Sequence, residues 1–304
     1  MNRLKAGLKP ILWSAAAFLA LVLLAVPLLN FPASLLLTVS YVVLYATLSR
    51  GAFILHLLPV WILAAVVAGP SLLIIGLFFL VPSIVMGHLY QKGVSAAKVI
   101  RTVGIVFLAQ LMLELLLFEM VFDLSLLSEF SEIVRTTMNG MMTPELAAAG
   151  WNEEMTEQLI QTVMNIIPLI FILFSFIYAV LAHFFARRAV QRSGIEVPAF
   201  PKAKDWRLPR VLVIYYLIAY VADLFLRNGD DSFLNVAVMN LVPLLSFLFT
   251  IQAIGFFFFI AHERGWSKAV PILIAIPVLL IPPLSLIGVL DTAFPIRKSF
   301  VKPQ

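Results

Sequence analysis

The 304 residues are 62% hydrophobic and 12% charged, with a formal net charge of +5 and no cysteine. A soluble domain carries about a quarter charged residues, so this composition marks an integral membrane protein. The lack of thiols excludes disulfides, cysteine-ligated zinc, iron–sulfur clusters and thiol catalysis.

The chain begins MNRLKAGLKP and continues apolar from Ile11 to Leu29. No Ala-x-Ala site closes that run and further spans follow at once, so it reads as an uncleaved first helix with its positive end in the cytosol. Further apolar stretches run Ala33–Leu48, Phe53–Ala68, Leu72–Leu89 and Thr102–Phe122, then Ile160–Ala186, Val211–Leu226, Phe233–Ala261 and Ala269–Leu290. The second and third are short for a hydrocarbon core of about 30 Å. The expectation is one all-α integral membrane domain over residues 1–304, a bundle of eight or nine transmembrane helices.

The loops orient it. Lys92, Lys98 and Arg101 share one connection; Arg187, Arg188, Arg192, Lys202, Lys204, Arg207 and Arg210 fill the stretch 187–210; Arg264 and Lys268 occupy a third. All three fall on the side of the N-terminus, the cytosolic side by the positive-inside rule. Basic residues confined to short loops beside apolar spans point to the lipid bilayer as partner and not to nucleic acid. The opposite loop, 123–160, carries Asp123, Glu129, Glu132, Glu145, Glu153, Glu154 and Glu157 against a single Arg135. Within it Leu126, Leu127, Phe130, Val134, Met138 and Met141 recur at helical spacing, predicting an amphipathic outer helix. Thr143-Pro144-Glu145 and Asn152-Glu153-Glu154 read as helix starts. Nine crossings would leave Arg297, Lys298 and Lys302 outside, against the rule. Pro277, Pro282 and Pro283 allow a kink or a re-entrant end, and a weak charge bias on a terminal tail can also be overridden, so the sequence leaves the side of the C-terminus open.

Polar groups inside the spans carry the functional expectation. Glu114 and Glu119 lie about 18 and 25 Å along the fifth span from Thr102, in the outer half. Gln110 shares a face with Glu114. On the seventh span Tyr216, Tyr220, Asp223 and Arg227 form one stripe, and Asn235 and Asn240 on the eighth lie at similar depth, as do Asn165 and Pro168 on the sixth. Gln110, Glu114, Glu119, Tyr216, Tyr220, Asp223 and Asn240 are therefore the expected lining of an outward-facing pocket for a small cationic or hydrogen-bonding solute. The alternative is that the outermost of them are headgroup-level residues. The four histidines are too dispersed for a metal site, and three lie near cytosolic helix ends. No His-Glu-x-x-His, Gly-x-Ser-x-Gly or P-loop motif is present, so neither an enzyme nor a cofactor is expected.

The ending IPPLSLIGVLDTAFPIRK, with Gly288, Asp291, Phe294 and Arg297, resembles the ending of the YybS-like family of bacterial membrane proteins. The turn Ala68-Gly69-Pro70, leading into a span that ends in Gly87 and a basic loop, fits as well. That family is similar, more distantly, to the substrate-binding S-components of energy-coupling-factor transporters. This similarity implies a solute held near the extracellular face, and docking on a transmembrane scaffold driven by ATPases. Ala16 and Ala20 would supply a small-residue docking face on the first helix. S-components typically have six helices and this chain has more. The competing expectation is a non-transporting scaffold or regulator that works through the basic 187–210 loop. Asp291 and Arg297 are also expected to pair at the membrane surface and hold the last helix.

Overall fold

The computed structural model describes residues 8–123, 125–141, 150–226 and 232–301. Arg3, Lys5, the start signal Thr143–Glu145, Arg227 and Lys302 lie outside them. The described residues form α-helices and short 3-10 turns with no strand, a helical membrane bundle. The helices are α1 (Leu8–Leu23), α2 (Asn30–Thr47), α3 (Arg50–Ala68), α4 (Ser71–Gln91), α5 (Ala96–Phe122) and α6 (Leu126–Met141). They continue as α7 (Glu153–Asn165), α8 (Ile167–Gln191), α9 (Val211–Phe225), α10 (Phe233–Glu263), α11 (Ala269–Leu280) and α12 (Ser285–Ala293). Six of these, α2, α3, α4, α5, α8 and α10, are long and apolar enough to cross a bilayer; α1, α9 and α11 are apolar but shorter. Every apolar stretch read from the sequence thus contains a helix; the first ends early, at Leu23, and two are subdivided.

The chain divides into two compact units. One holds residues 1–124 and 171–200; the other holds 125–170 and 201–304.

In the first unit α2 packs against α1 and α4, with α3 on α1 and α5 on α4. With no water in a bilayer, each buried polar group needs an internal partner. Tyr178 Oη pairs with Thr38 Oγ1 at 2.8 Å, and Trp61 Nε1 donates to Tyr41 Oη at 2.8 Å. His183 is buried with Nδ1 2.8 Å from Tyr90 Oη. After α8 the chain is tied back, because Arg187 Nε and Gln191 Nε2 both donate to the Val197 carbonyl. Ala20 is fully buried and Ala16 partly so, which places the small-residue face of α1 within the packing of its own unit.

In the second unit α10 is the spine, flanked by α9, α11, α12 and the 3-10 turn Ala203–Asp205. At 31 residues it is about 46 Å long, more than a hydrocarbon core. The amphipathic helix α6 forms as predicted and packs on α7, joined to it by Arg135 Nη2–Glu157 Oε2 at 2.8 Å. The predicted start at Asn152 is real: its side chain accepts from Met155 N at 2.9 Å. The stretch predicted as one span from Ile160 breaks at Ile166, between α7 and α8.

The last apolar stretch is not one helix. It breaks at Ile281–Leu284, where Pro282 and Pro283 remove two backbone donors. Beyond the break α12 runs in the same direction as α10. Ser285 meets Ser246, Asp291 meets Gln252, and Phe300 meets Phe256. Helices α11 and α12, of 12 and 9 residues, reach only about 18 and 14 Å and form a short hairpin. Arg297 and Lys298 come back toward the segment 201–210.

Candidate functional site

Each residue of the expected outer pocket has a definite place. Gln110 Nε2 donates to the Phe78 carbonyl at 2.9 Å, while its Oε1 is buried without a partner. Glu114, one turn on, is half-buried and makes no hydrogen bond or ion pair among the described residues; Glu119 is exposed. In the second unit Tyr216 is buried with its ring 5.3 Å from Phe249 and 6.1 Å from Tyr220, whereas Tyr220 and Asp223 are exposed. Asn240 is fully committed to backbone. Its Oδ1 accepts from Leu169 N at 2.8 Å and its Nδ2 donates to the Asn165 and Val236 carbonyls at 2.7 Å. It seals the break between α7 and α8, beside Pro168, by satisfying backbone groups that helix ends leave open.

A different cluster is the most heavily connected polar group of the second unit. It begins with Gly288, the position on α12 where a Cβ would strike the Phe249 carbonyl of α10. This close approach carries Asp291, one turn later, against Gln252, which donates from Nε2 to Asp291 Oδ2 at 2.5 Å. Arg297 grips the same carboxylate, with Nε 2.9 Å from Oδ1 and Nη2 2.6 Å from Oδ2. Asp291 and Arg297 are only 2% and 3% exposed. A buried pair of this kind is tolerated only when its remaining donors are satisfied as well. Here Arg297 Nη1 donates to the Lys204 carbonyl at 2.7 Å and Nη2 to that of Trp206 at 3.0 Å, while the guanidinium lies 4.9 Å from the Phe259 ring. Gln252 completes the set, accepting from Leu208 N at 3.1 Å and donating to the Trp206 carbonyl at 3.3 Å.

The chemistry of this arrangement is positional. Both oxygens of Asp291 and all three nitrogens of Arg297 are engaged, so neither group is left to take a ligand. What they hold is the segment Lys204–Leu208, a loop by composition that is pinned to α10 and α12. Its basic residues therefore have fixed positions. Arg207 Nη1 reaches 3.9 Å from Asp291 Oδ1. Partial burial and the Arg297 charge lower the pKa of Arg207, and Asp291 works the other way.

Two clefts flank this segment. One, about 280 Å³, is lined by Arg207, Arg210, Gln252, Asp291, Phe294 and Lys298 among others. The other, about 670 Å³, includes Lys202, Lys204, Phe258, His262, Trp266 and Lys268. Among the described residues no three His, Asp or Glu side chains are grouped as a metal site requires.

Sequence reading picked out Gly288, Asp291 and Arg297 as a motif, and its expected pairing is present, though buried. It missed Gln252. The available signal was a lone amide in the otherwise apolar run TIQAIGFFFF.

Comparison with known proteins reaches most of the chain. The family described as "Predicted membrane protein (DUF2232)" matches residues 14–292. The Bacillus subtilis (strain 168) protein described as "Uncharacterized protein YybS" is 23% identical over 229 residues, covering 70% of this chain and 72% of that protein. No solved structure matches. A match running from within α1 into α12 takes in most of the chain, including Gly288 and Asp291, and the chain belongs to the DUF2232 family of membrane proteins.

Proposed function

We propose that the chain is a membrane-embedded docking subunit, a scaffold or regulator that receives an acidic segment of a partner protein in the larger basic cleft. One observation carries this reading. The cleft wall at Lys202–Lys204 is held in shape by the bond from buried Arg297 to the Lys204 carbonyl. A linker has no need of a buried ion pair to order it, whereas a docking surface does, because preordering removes an entropy cost from binding. Lys202, Lys204 and Lys268 offer positive charge, and Phe258 and Trp266 an apolar surface. This suits carboxylates interleaved with apolar side chains. By the positive-inside rule this face is cytosolic. The reading requires no reaction catalysed by the chain itself.

The test is affinity purification of the tagged full-length protein in mild detergent, comparing wild type with the K202E/K204E/K268E variant. A stoichiometric partner should be recovered with wild type and lost with the variant at an equal melting temperature. Identical recovery with both refutes the docking role.

A second reading is favoured by Gln110. Its buried, unpartnered Oε1 lies one turn from half-buried Glu114 in the first unit. An orphaned acceptor costs about 1–3 kcal/mol, and a solute bearing N–H donors would satisfy it. This supports capture of a small solute in the manner of an S-component, with an energy-coupling scaffold and ATPases as partners. Small molecules retained by wild type but not by Glu114→Gln or Gln110→Leu would bear it out. Unchanged retention and uptake in both variants would end it.

A further inference from the structure

The smaller cleft has a charge balance of its own. Its floor holds Asp291 and Arg297, which neutralise one another. Its walls hold Arg207, Arg210 and Lys298. The Arg207 guanidinium approaches Asp291 only at 3.9 Å, beyond hydrogen-bond reach. Arg210 and Lys298 are exposed and have no carboxylate within ion-pair distance among the described residues. Three cations thus share a cleft of about 280 Å³ whose only acid among the described residues is already committed. Like charges so confined repel, and a polyoxygen anion bound among them removes that repulsion.

The surroundings indicate what carries the anion. The cleft lies between the start of α9 and the end of α12, and both helices lead away from it with apolar faces uncovered. On α12 these are Leu286 and Leu290, one turn apart, with Phe294 just past its end; on α9 they are Val211, Ile214 and Ile218. Leu208, Phe294 and Pro295 continue the apolar surface into the cleft rim. A soluble phosphate ester has no use for such tracks. An amphiphile with an anionic head uses both, its head in the cleft and its chains along the helices.

We propose that Arg207, Arg210 and Lys298 form a binding site for the phosphate of an anionic phospholipid, whose acyl chains lie along the exposed faces of α9 and α12. The shared chemistry is a phosphate oxyanion; the apolar tracks assign it to lipid instead of a free phosphate. This site is independent of the docking cleft and stands whether or not a protein partner binds there.

The experiment uses the full-length protein, delipidated in mild detergent and titrated by native mass spectrometry. The probes are phosphatidylglycerol, phosphatidylcholine and glycerol 3-phosphate. Wild type should retain one phosphatidylglycerol in preference to phosphatidylcholine. R210Q/K298Q should weaken that binding about tenfold to thirtyfold, on a scale of about fivefold per basic residue. Both side chains are exposed and outside the Asp291–Arg297 network, and an unchanged melting temperature checks that the fold is kept. K92Q/K98Q, in a basic loop of the first unit, should leave binding as it was. Equal loss in that control, equal retention of the two lipids, or no effect of R210Q/K298Q overturns the proposal. Glycerol 3-phosphate binding as tightly as phosphatidylglycerol overturns the lipid assignment and gives the site to a soluble ester.

Discussion

Arg297 and Asp291, six residues apart, form a buried two-pronged ion pair, with Nη2 2.6 Å from Oδ2 and Nε 2.9 Å from Oδ1. The pair closes the end of the returning hairpin onto the spine helix and, through two backbone carbonyls, onto the segment Lys204–Trp206. Removing one partner of a buried pair costs about 3–5 kcal/mol, because the other charge stays behind uncompensated. Asp291→Asn should therefore lower the melting temperature in detergent by more than any surface charge change. The D291L/R297M double variant should recover part of the loss, since no buried charge remains. An unaltered melting curve for Asp291→Asn would show that the pair does not hold the hairpin.

The contact of α12 with α10 rests on a missing side chain. A Cβ at Gly288 would meet the Phe249 carbonyl and come within 3.0 Å of Ala253 N. Gly288→Ala should destabilise by about 1–3 kcal/mol as overpacking forces the helices apart. The contrast is Gly51→Ala on α3, whose Cβ would find open space. That change should be neutral or stabilise by up to about 1 kcal/mol. Equal melting temperatures for the two variants would refute the close-packing account.

Asn240 seals the break between α7 and α8 with three hydrogen bonds to backbone. Asn240→Ala leaves the Leu169 N–H and the Asn165 carbonyl without their partner, at about 1–3 kcal/mol for each group left buried. Hydrogen exchange should accelerate at residues 165–170 first. Unchanged exchange there would place the brace elsewhere.

The ion pair between α6 and α7 should behave in the opposite way. Arg135 and Glu157 are 34% and 54% exposed, and pairs of that kind contribute about 0–1 kcal/mol. Glu157→Gln should leave the melting temperature nearly unaltered. A large drop would indicate that α6 and α7 are buried in the working protein.

Topology can be read directly, because the chain has no native cysteine to interfere. In the second unit Lys298 and Arg210 line one cleft, while α7 joins α10 near its opposite end through Asn240. Single cysteines at Arg210 and Lys298 should react with an impermeant maleimide from one side of the membrane, and a cysteine at Ser128 from the other. Opposite labelling of positions 210 and 298 would rule out the returning hairpin.

The helices were legible because their signal is local. Transfer of apolar residues to lipid adds along a stretch, so Leu72–Leu89 and Phe233–Ala261 announce themselves without reference to the rest of the chain. Asn152 caps its helix through a residue three places on, and that too is a short-range rule. Positive loops and an acidic loop supplied an orientation on the same local terms. Pairing obeys no such rule. Gln252 and Asp291 are 39 residues apart, and nothing in either neighbourhood names the other. Asn240 looked like a pocket residue, yet the nearest unsatisfied backbone groups took it, 71 and 75 residues away. Pro282 and Pro283 allowed either a kink or a re-entrant end, and nothing near Gly288 in the sequence says that it will meet Phe249. A buried hydrogen bond or ion pair is strong only when several groups converge at about 3 Å from different helices. Composition and periodicity determine which segments enter the membrane; only the packed structure decides which polar side chains meet there.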